Sequence, residues 1–372
     1  EIVYITGEGL ASYNGGTWSK LTAEGPAVLT GVSSANILNP NSYDGSADND
    51  FFGCSVGVSM NYAIAGAYAE DTSGTNGSGV AYIFNPATGA AVHTLANPNA
   101  YDTVDGDSFG FASDISDSHA IVGAYTEDSA AGVSVGKAYI FNASTGSLVH
   151  TLANPDNGVA DDFGKAVAIK NTYAIVGAPN SSSNDSGKAW IFNVSTGATV
   201  HTLTGPNNAT AQFGDKVAIS DTHAIVGAPY DDSAATNGGK AYIYSTTSGN
   251  LLYTLTAPST PTNILFGASV GISDTHAIVG NDGVAYANYN YGAYIYRLSD
   301  GALVYTLTNP NTETSHSGDG FGQQVDICNK WAIVAAPTTS AGVHGAGSAG
   351  AQLKAGSFVI GFFLFNLKSC FY

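Results

Sequence analysis

Apolar residues in this chain come in short bursts and not in long amphipathic stretches. Gly164-Lys165-Ala166-Val167-Ala168-Ile169 alternates, and Tyr173-Ala174-Ile175-Val176-Gly177-Ala178-Pro179 is an apolar run that closes on Gly. Lys188-Ala189-Trp190-Ile191-Phe192 and Thr199-Val200-His201-Thr202-Leu203 follow in the same stretch. Each burst is rich in β-branched and aromatic residues and is bounded by Gly, Asn, Asp or Ser, the pattern of strands separated by turns. No stretch has the three-to-four-residue spacing of a helix. Four strands, a to d, are predicted in this stretch.

The same four bursts recur along the chain. Phe-Gly pairs at Phe52, Phe109, Phe163, Phe213, Phe266 and Phe321 open successive units, with steps of 57, 54, 50, 53 and 55 residues. From that Phe to the aromatic residue opening strand b is always ten positions, and from the strand-c aromatic to the His or Tyr of strand d is always nine where strand d is found. The a–b and c–d connections are therefore fixed, tight turns, built on pairs such as Asn171-Thr172 and Thr196-Gly197. The b–c and d–a connections vary in length. In an up-and-down sheet the two kinds of turn fall on opposite edges, so one face is uniform and the other variable. Units that cannot bury their faces alone need neighbours. The expected fold is all-β, a β-propeller of four-stranded antiparallel blades around a channel. The chain length divided by the mean step favours seven blades, with six as the alternative. Residues 1–51 would supply a divergent blade or a ring-closing strand, and residues 52–372 the six repeats.

Phe-Gly followed by Gly-Ala-Pro, complete at Gly177-Ala178-Pro179 and Gly227-Ala228-Pro229 and partial at Gly66-Ala67-Tyr68 and Gly123-Ala124-Tyr125, resembles the FG-GAP repeat. The chain is similar to the propeller head of integrin α-chains and to bacterial and viral proteins with such repeats. The resemblance implies extracellular adhesion, and often calcium in an acidic loop between strands a and b. Here that connection is only three residues, as in Ser59-Met60-Asn61 and Ser116-Asp117-Ser118. Calcium wants about six to eight oxygens, so that site is not carried over.

Charge narrows the choice further. Eleven Lys and Arg stand against 29 Asp and Glu, a net charge of −18. Such a chain lacks the clustered cations that phosphate backbones or anionic bilayers require. Three cysteines, Cys54, Cys328 and Cys370, are too few for a disulfide scaffold. The apolar run at 358–367 is too short to span a membrane as a helix.

Candidate chemistry falls on the variable face. Acidic pairs in the b–c loops, Glu70-Asp71, Glu127-Asp128 and Asp231-Asp232, form either a solvated rim or an acidic recognition surface. Tyr286, Tyr289 and Tyr291 in the fifth b–c loop offer amphipathic rings for a sugar or peptide. Asp102, Asp105 and Asp107 have the carboxylate density of a calcium site but follow no firm template, so no cofactor is assigned beyond that candidate calcium. Histidines alternate with Tyr or Trp at two repeat positions, which marks them as flat fillers. Asp114 and Asp326 replace Gly or Ala on the inner strand, and nothing in the sequence brings them together as an acid–base pair. The sequence thus points to a non-enzymatic extracellular or virion-surface propeller that binds a receptor, glycan or neighbouring protein. Structural subunit of an appendage is the alternative, and glycan-cleaving enzyme the second. Neither nucleic acid nor membrane insertion is expected.

Overall fold

The computed structural model describes residues 2–5, 9–14, 17–20, 27–28, 37–41, 50–71, 77–98, 106–128, 132, 134–181, 186–206, 210–259, 262–282, 292–308, 320–328, 331–336 and 361–366. Among these every regular element is a strand. The strands form seven antiparallel sheets, six of four strands and one of three, each in simple meander order. In the third unit Ala166–Lys170, Tyr173–Ala178, Lys188–Asn193 and Thr199–Thr204 lie side by side as strands a to d. The N-terminal sheet consists of Ile2–Ile5, Gly9–Asn14, Thr17–Lys20 and Ala27–Val28. The last sheet has Gln324–Cys328, Trp331–Ala336 and Gly361–Asn366.

From the first Phe-Gly unit to the sixth, each strand a packs against strand a of the next unit. Residues of units one, three, four, five and six line a single opening, so the sheets stand around an axial channel. The chain is a β-propeller.

The geometry explains the repeating dipeptides. Phe109, Phe163, Phe213, Phe266 and Phe321 are fully buried. The rings of Phe109, Phe163, Phe213 and Phe266 each pack against two aromatics of their own strand c: Phe163, for example, lies 5.5 Å from Trp190 and 6.1 Å from Phe192, both edge-on. The following Gly has a positive φ, and its N–H donates to the strand-b Gly carbonyl, as in Gly164 to Gly177 at 3.0 Å. Strand-b Gly177 in turn abuts the carbonyl of Gly214 in the next unit so closely that a Cβ would overlap it. The pair of glycines is therefore the point where one sheet touches the next.

The uniform face is occupied by its own turns. Asn142 Oδ1 accepts the N–H groups of Ser144 and Thr145, each at 3.0 Å, and Asn193 repeats this with Ser195 and Thr196. Strand-d histidines reach across to the neighbouring turn: His93 Nε2 lies 2.9 Å from the Ser144 carbonyl oxygen, and His150 and His201 make the same contact with Ser195 and Thr246 at 3.1 Å. They are clamps between sheets, as their interchange with Tyr253 implies. His119, His223 and His276 open strand b, each bonded through Nδ1 to the preceding hydroxyl.

Candidate functional site

The acidic pairs of the b–c loops divide into an inner and an outer residue. Glu70, Glu127 and Asp231 are buried, which corrects the expectation that they form an exposed recognition surface. Each accepts the hydroxyl of a strand-c tyrosine: Glu70 from Tyr82, Glu127 from Tyr139 at 2.6 and 2.7 Å, and Asp231 from Tyr242 at 2.6 Å. Burial and the carboxylate push these phenols well above their ordinary range. Lys137 Nζ adds an ion pair to Glu127 at 2.5 Å. A buried acid without such partners would be costly, so these groups organise the loop from below. Their outer neighbours close it: Asp71, Asp128 and Asp232 accept the backbone N–H of Gly77, Ser134 and Asn237 at 2.7, 2.6 and 2.6 Å. In the third unit the acid and tyrosine change together, to Ser181 and Trp190, both buried.

The acids before Phe-Gly are tied to asparagines. Asp107 Oδ2 accepts the Asn97 amide at 2.8 Å, and Asp50 and Asp161 accept those of Asn39 and Asn154 at 3.2 and 2.9 Å. Of the candidate calcium ligands, Asp102 and Asp105 lie outside the described residues, as do Tyr286, Tyr289 and Tyr291. Among the described residues no group of three or more His, Cys, Asp or Glu is placed to hold a metal ion.

A further concavity is one the sequence did not single out. On the variable face the axial channel opens into a mouth of about 840 Å³. Three recurring positions contribute to its lining: the residue before Phe-Gly (Gln212, Leu265), the residue after it (Cys54, Lys165, Asp215, Ala268, Gln323), and the residue after strand-b Gly-Ala (Pro229, with Asp282 following Gly-Asn in the fifth unit). The first of these is held at a left-handed φ in Phe51, Ser108, Asp162, Gln212 and Leu265, between 50 and 58°. The N–H two places beyond the Phe returns to its carbonyl, as in Lys165 to Asp162 at 3.1 Å. Such backbone is unfavourable for residues with a Cβ. In the fourth and fifth units the side chain so held, Gln212 and Leu265, lines the mouth.

These positions carry different chemistry around the ring. In units one and two they include a chain of aromatic rings that adjoins Cys54: Phe51, whose carbonyl accepts the Cys54 N–H, stacks on Tyr68 at 4.9 Å, Tyr68 meets Phe111 edge-on at 5.4 Å, and Phe111 meets Tyr125 at 4.7 Å. Phe51 remains 51% exposed. In units three to six the lining is mixed, with Lys165, Gln212, Asp215, Asp282 and Gln323 beside the apolar Pro229, Leu265 and Ala268. Lys165 pairs with Asp162 and with Asp215 of the next unit at 3.5 and 3.7 Å, and Lys216 with Asp215 at 3.2 Å. Gln323 donates to Asp282 at 2.9 Å. Cys54, a free thiol at the mouth, donates to the carbonyls of Gly66 and Gly110, and burial raises its pKa.

On the inner strands, Asp114 feels the charge of Asp326. Burial pushes the Asp114 carboxyl up to about 6; hydrogen bonds from Ile169 and Ile115 N–H, each 2.8 Å, work against this, and the Asp326 charge adds to it. Asp326 is likewise raised by burial, and Lys170 lowers both. Gly57 and Gly271, at the same position one unit earlier, leave the room the two side chains occupy.

A family model for the FG-GAP repeat matches residues 42–84, 99–141, 147–192 and 204–244. A search of curated proteins finds no match. FG-GAP repeats are typical of extracellular proteins, and among the described residues no helix is long and apolar enough to cross a membrane. With the Phe-Gly and Gly-Ala-Pro residues at the sheet-to-sheet contacts and the family model on four of the units, the chain carries FG-GAP repeats.

Proposed function

We propose that this protein is a non-enzymatic binding propeller of the extracellular space, a cell surface or a virion surface, which recognises a receptor, a glycan or a neighbouring protein through its variable face. The contrast between the two faces supports this reading. On the uniform face the polar side chains are spent on turn-to-turn locks such as His93 to Ser144. On the variable face side chains of mixed chemistry converge on an open mouth within the size range of ligand sites. Asp114 is held by backbone N–H groups of two units, which suits a structural carboxylate better than a mobile acid or base. The net charge of −18 disfavours nucleic acid as a partner.

The test compares two double variants for retention on cells and on immobilised extracellular proteins and glycans. Phe51→Arg with Gln212→Arg alters the mouth; Thr145→Arg with Thr196→Arg alters the exposed turns of the opposite face. Retention should fall only with the first pair. Loss confined to the second pair would overturn the reading.

An assembly role has one observation of its own. Val92, Leu148, Val149, Val200, Leu251 and Leu252 are exposed at one position or its neighbour on successive outer strands, an apolar belt around the perimeter. If the chain is a structural subunit, sedimentation velocity across a concentration series should show self-association that Leu148→Ser with Leu251→Ser abolishes.

A further inference from the structure

We propose that the channel mouth and the aromatic series that adjoins it at Cys54 form a saccharide site, with Phe51, Tyr68 and Phe111 as the platform for an uncharged pyranose and Gln212, Gln323 and Lys216 as the groups that address its hydroxyls. The inference rests on the binding-propeller reading and names the ligand class for that face.

Two properties of the mouth carry it. The first is its division. A pyranose has an apolar face of C–H groups and an equatorial girdle of hydroxyls, so it needs a flat aromatic surface on one side and dispersed polar groups on the other. Units one and two supply the surface, a continuous series of rings at 4.9 and 5.4 Å with the outermost half exposed. Units four and six supply the amides of Gln212 and Gln323, which donate and accept as hydroxyls do.

The second is charge balance. The cations at the mouth already face carboxylates, Lys165 with Asp162 and Asp215, and Lys216 with Asp215. Asp162 also accepts the Asn180 amide at 2.8 Å, and Asp282 accepts that of Gln323. An anionic sugar would have to compete with the acids for the lysines. A guanidinium would have to compete with the lysines and amides for the acids. A neutral ligand displaces only water from these groups. The left-handed backbone at Phe51, with φ of 53°, fixes the exposed ring beside Cys54 before any ligand arrives, as backbone strain at binding positions often does.

The experiment titrates the full chain with cellotetraose, maltotetraose, mannotetraose and chitotetraose by calorimetry, with saturation-transfer NMR to identify the contacting face of the sugar. At least one should bind saturably. Phe51→Ala and Phe111→Ala should each weaken it about tenfold or more. Raising salt from roughly 50 to 500 mM should change the affinity less than about twofold, since no net charge is exchanged. Phe51→Trp, which keeps a ring at an exposed position, should retain binding and serve as the folded control. No saturable binding by any of the four sugars would overturn the assignment, as would sugar binding that survives both alanine substitutions. Salt-sensitive binding of octa-arginine, lost with the same substitutions, would also overturn it by making the mouth a cation site. If the sugars fail while cell retention still depends on the mouth, only the ligand class falls; if retention ignores the mouth, the binding-propeller reading falls as well.

Discussion

Gly177 shows how little freedom the contact between sheets leaves. Its missing Cβ is filled by the carbonyl of Gly214 from the next unit, so neither backbone can withdraw without disturbing a ladder on its own side. Gly177→Ala should cost about 3 kcal/mol or more, read as a fall in the urea midpoint at unchanged slope. Gln212 presents the opposite case. Its φ of 50° burdens the native state, and Gln212→Gly should raise stability by about 1 kcal/mol in the same measurement. The sequence declared the first kind of residue and hid the second. A Gly recurring beside Phe is visible in any alignment of the units with themselves, whereas the residue before it is Phe, Ser, Asp, Gln or Leu and looks like loop. Only the shared backbone conformation reveals a common task. The inner acids were misread for a related reason: an acid in a loop reads as solvated. The usable signal was the tyrosine eleven or twelve places on, present for Glu70, Glu127 and Asp231 and replaced by Trp190 where the acid becomes Ser181.

The inner strand is the element on which neighbouring sheets meet, and it carries the protein's clearest pH signature. Asp114 titrates near 6 when folded and at about 3.9 in an unfolded chain. Between those values the folded protein holds a proton that the unfolded chain has released, so this group's contribution to stability falls as pH rises through the window and is level above it. Asp114→Asn removes the slope. The stability of the variant relative to wild type should therefore increase between pH 4 and 6.5, by about 1–3 kcal/mol, and stay constant at higher pH. Thermal or urea unfolding across that range checks it; a difference that is flat or reversed would mean the carboxylate is ionised at no cost. Strand positions themselves were legible in advance because tight turns permit little variation. The invariant steps of ten and nine residues are what turns bonded like Ser116 to His119, with the histidine N–H on Ser116 Oγ at 3.1 Å, impose on a chain.

In the whole molecule the first Phe-Gly unit is the exception. Val56, Val58 and Met60 are 71, 71 and 88% exposed, whereas Val167 and Ile169, which match the two valines in the third unit, are buried against strand a of the unit before. The N-terminal sheet from Ile2 to Val28 has the strand number and order of the others. If it serves as the seventh blade, Val56→Asp with Val58→Asp should lower stability by about 3 kcal/mol and increase dye binding to apolar surface. A neutral result would mean that this edge stays open. Repetition made the fold readable across most of the chain; closure was not readable, since the N-terminal residues share no motif with the units they would join.

The left-handed turn ahead of each Phe-Gly has a consequence for how such a molecule changes over time. Because the turn is fastened by main-chain bonds, its backbone does not depend on which side chain stands there. Substitution there leaves the scaffold intact and alters only what the opening will accept. Each unit thus holds an interchangeable socket, and a lineage could revise its diet of ligands one socket at a time without passing through an unfolded ancestor.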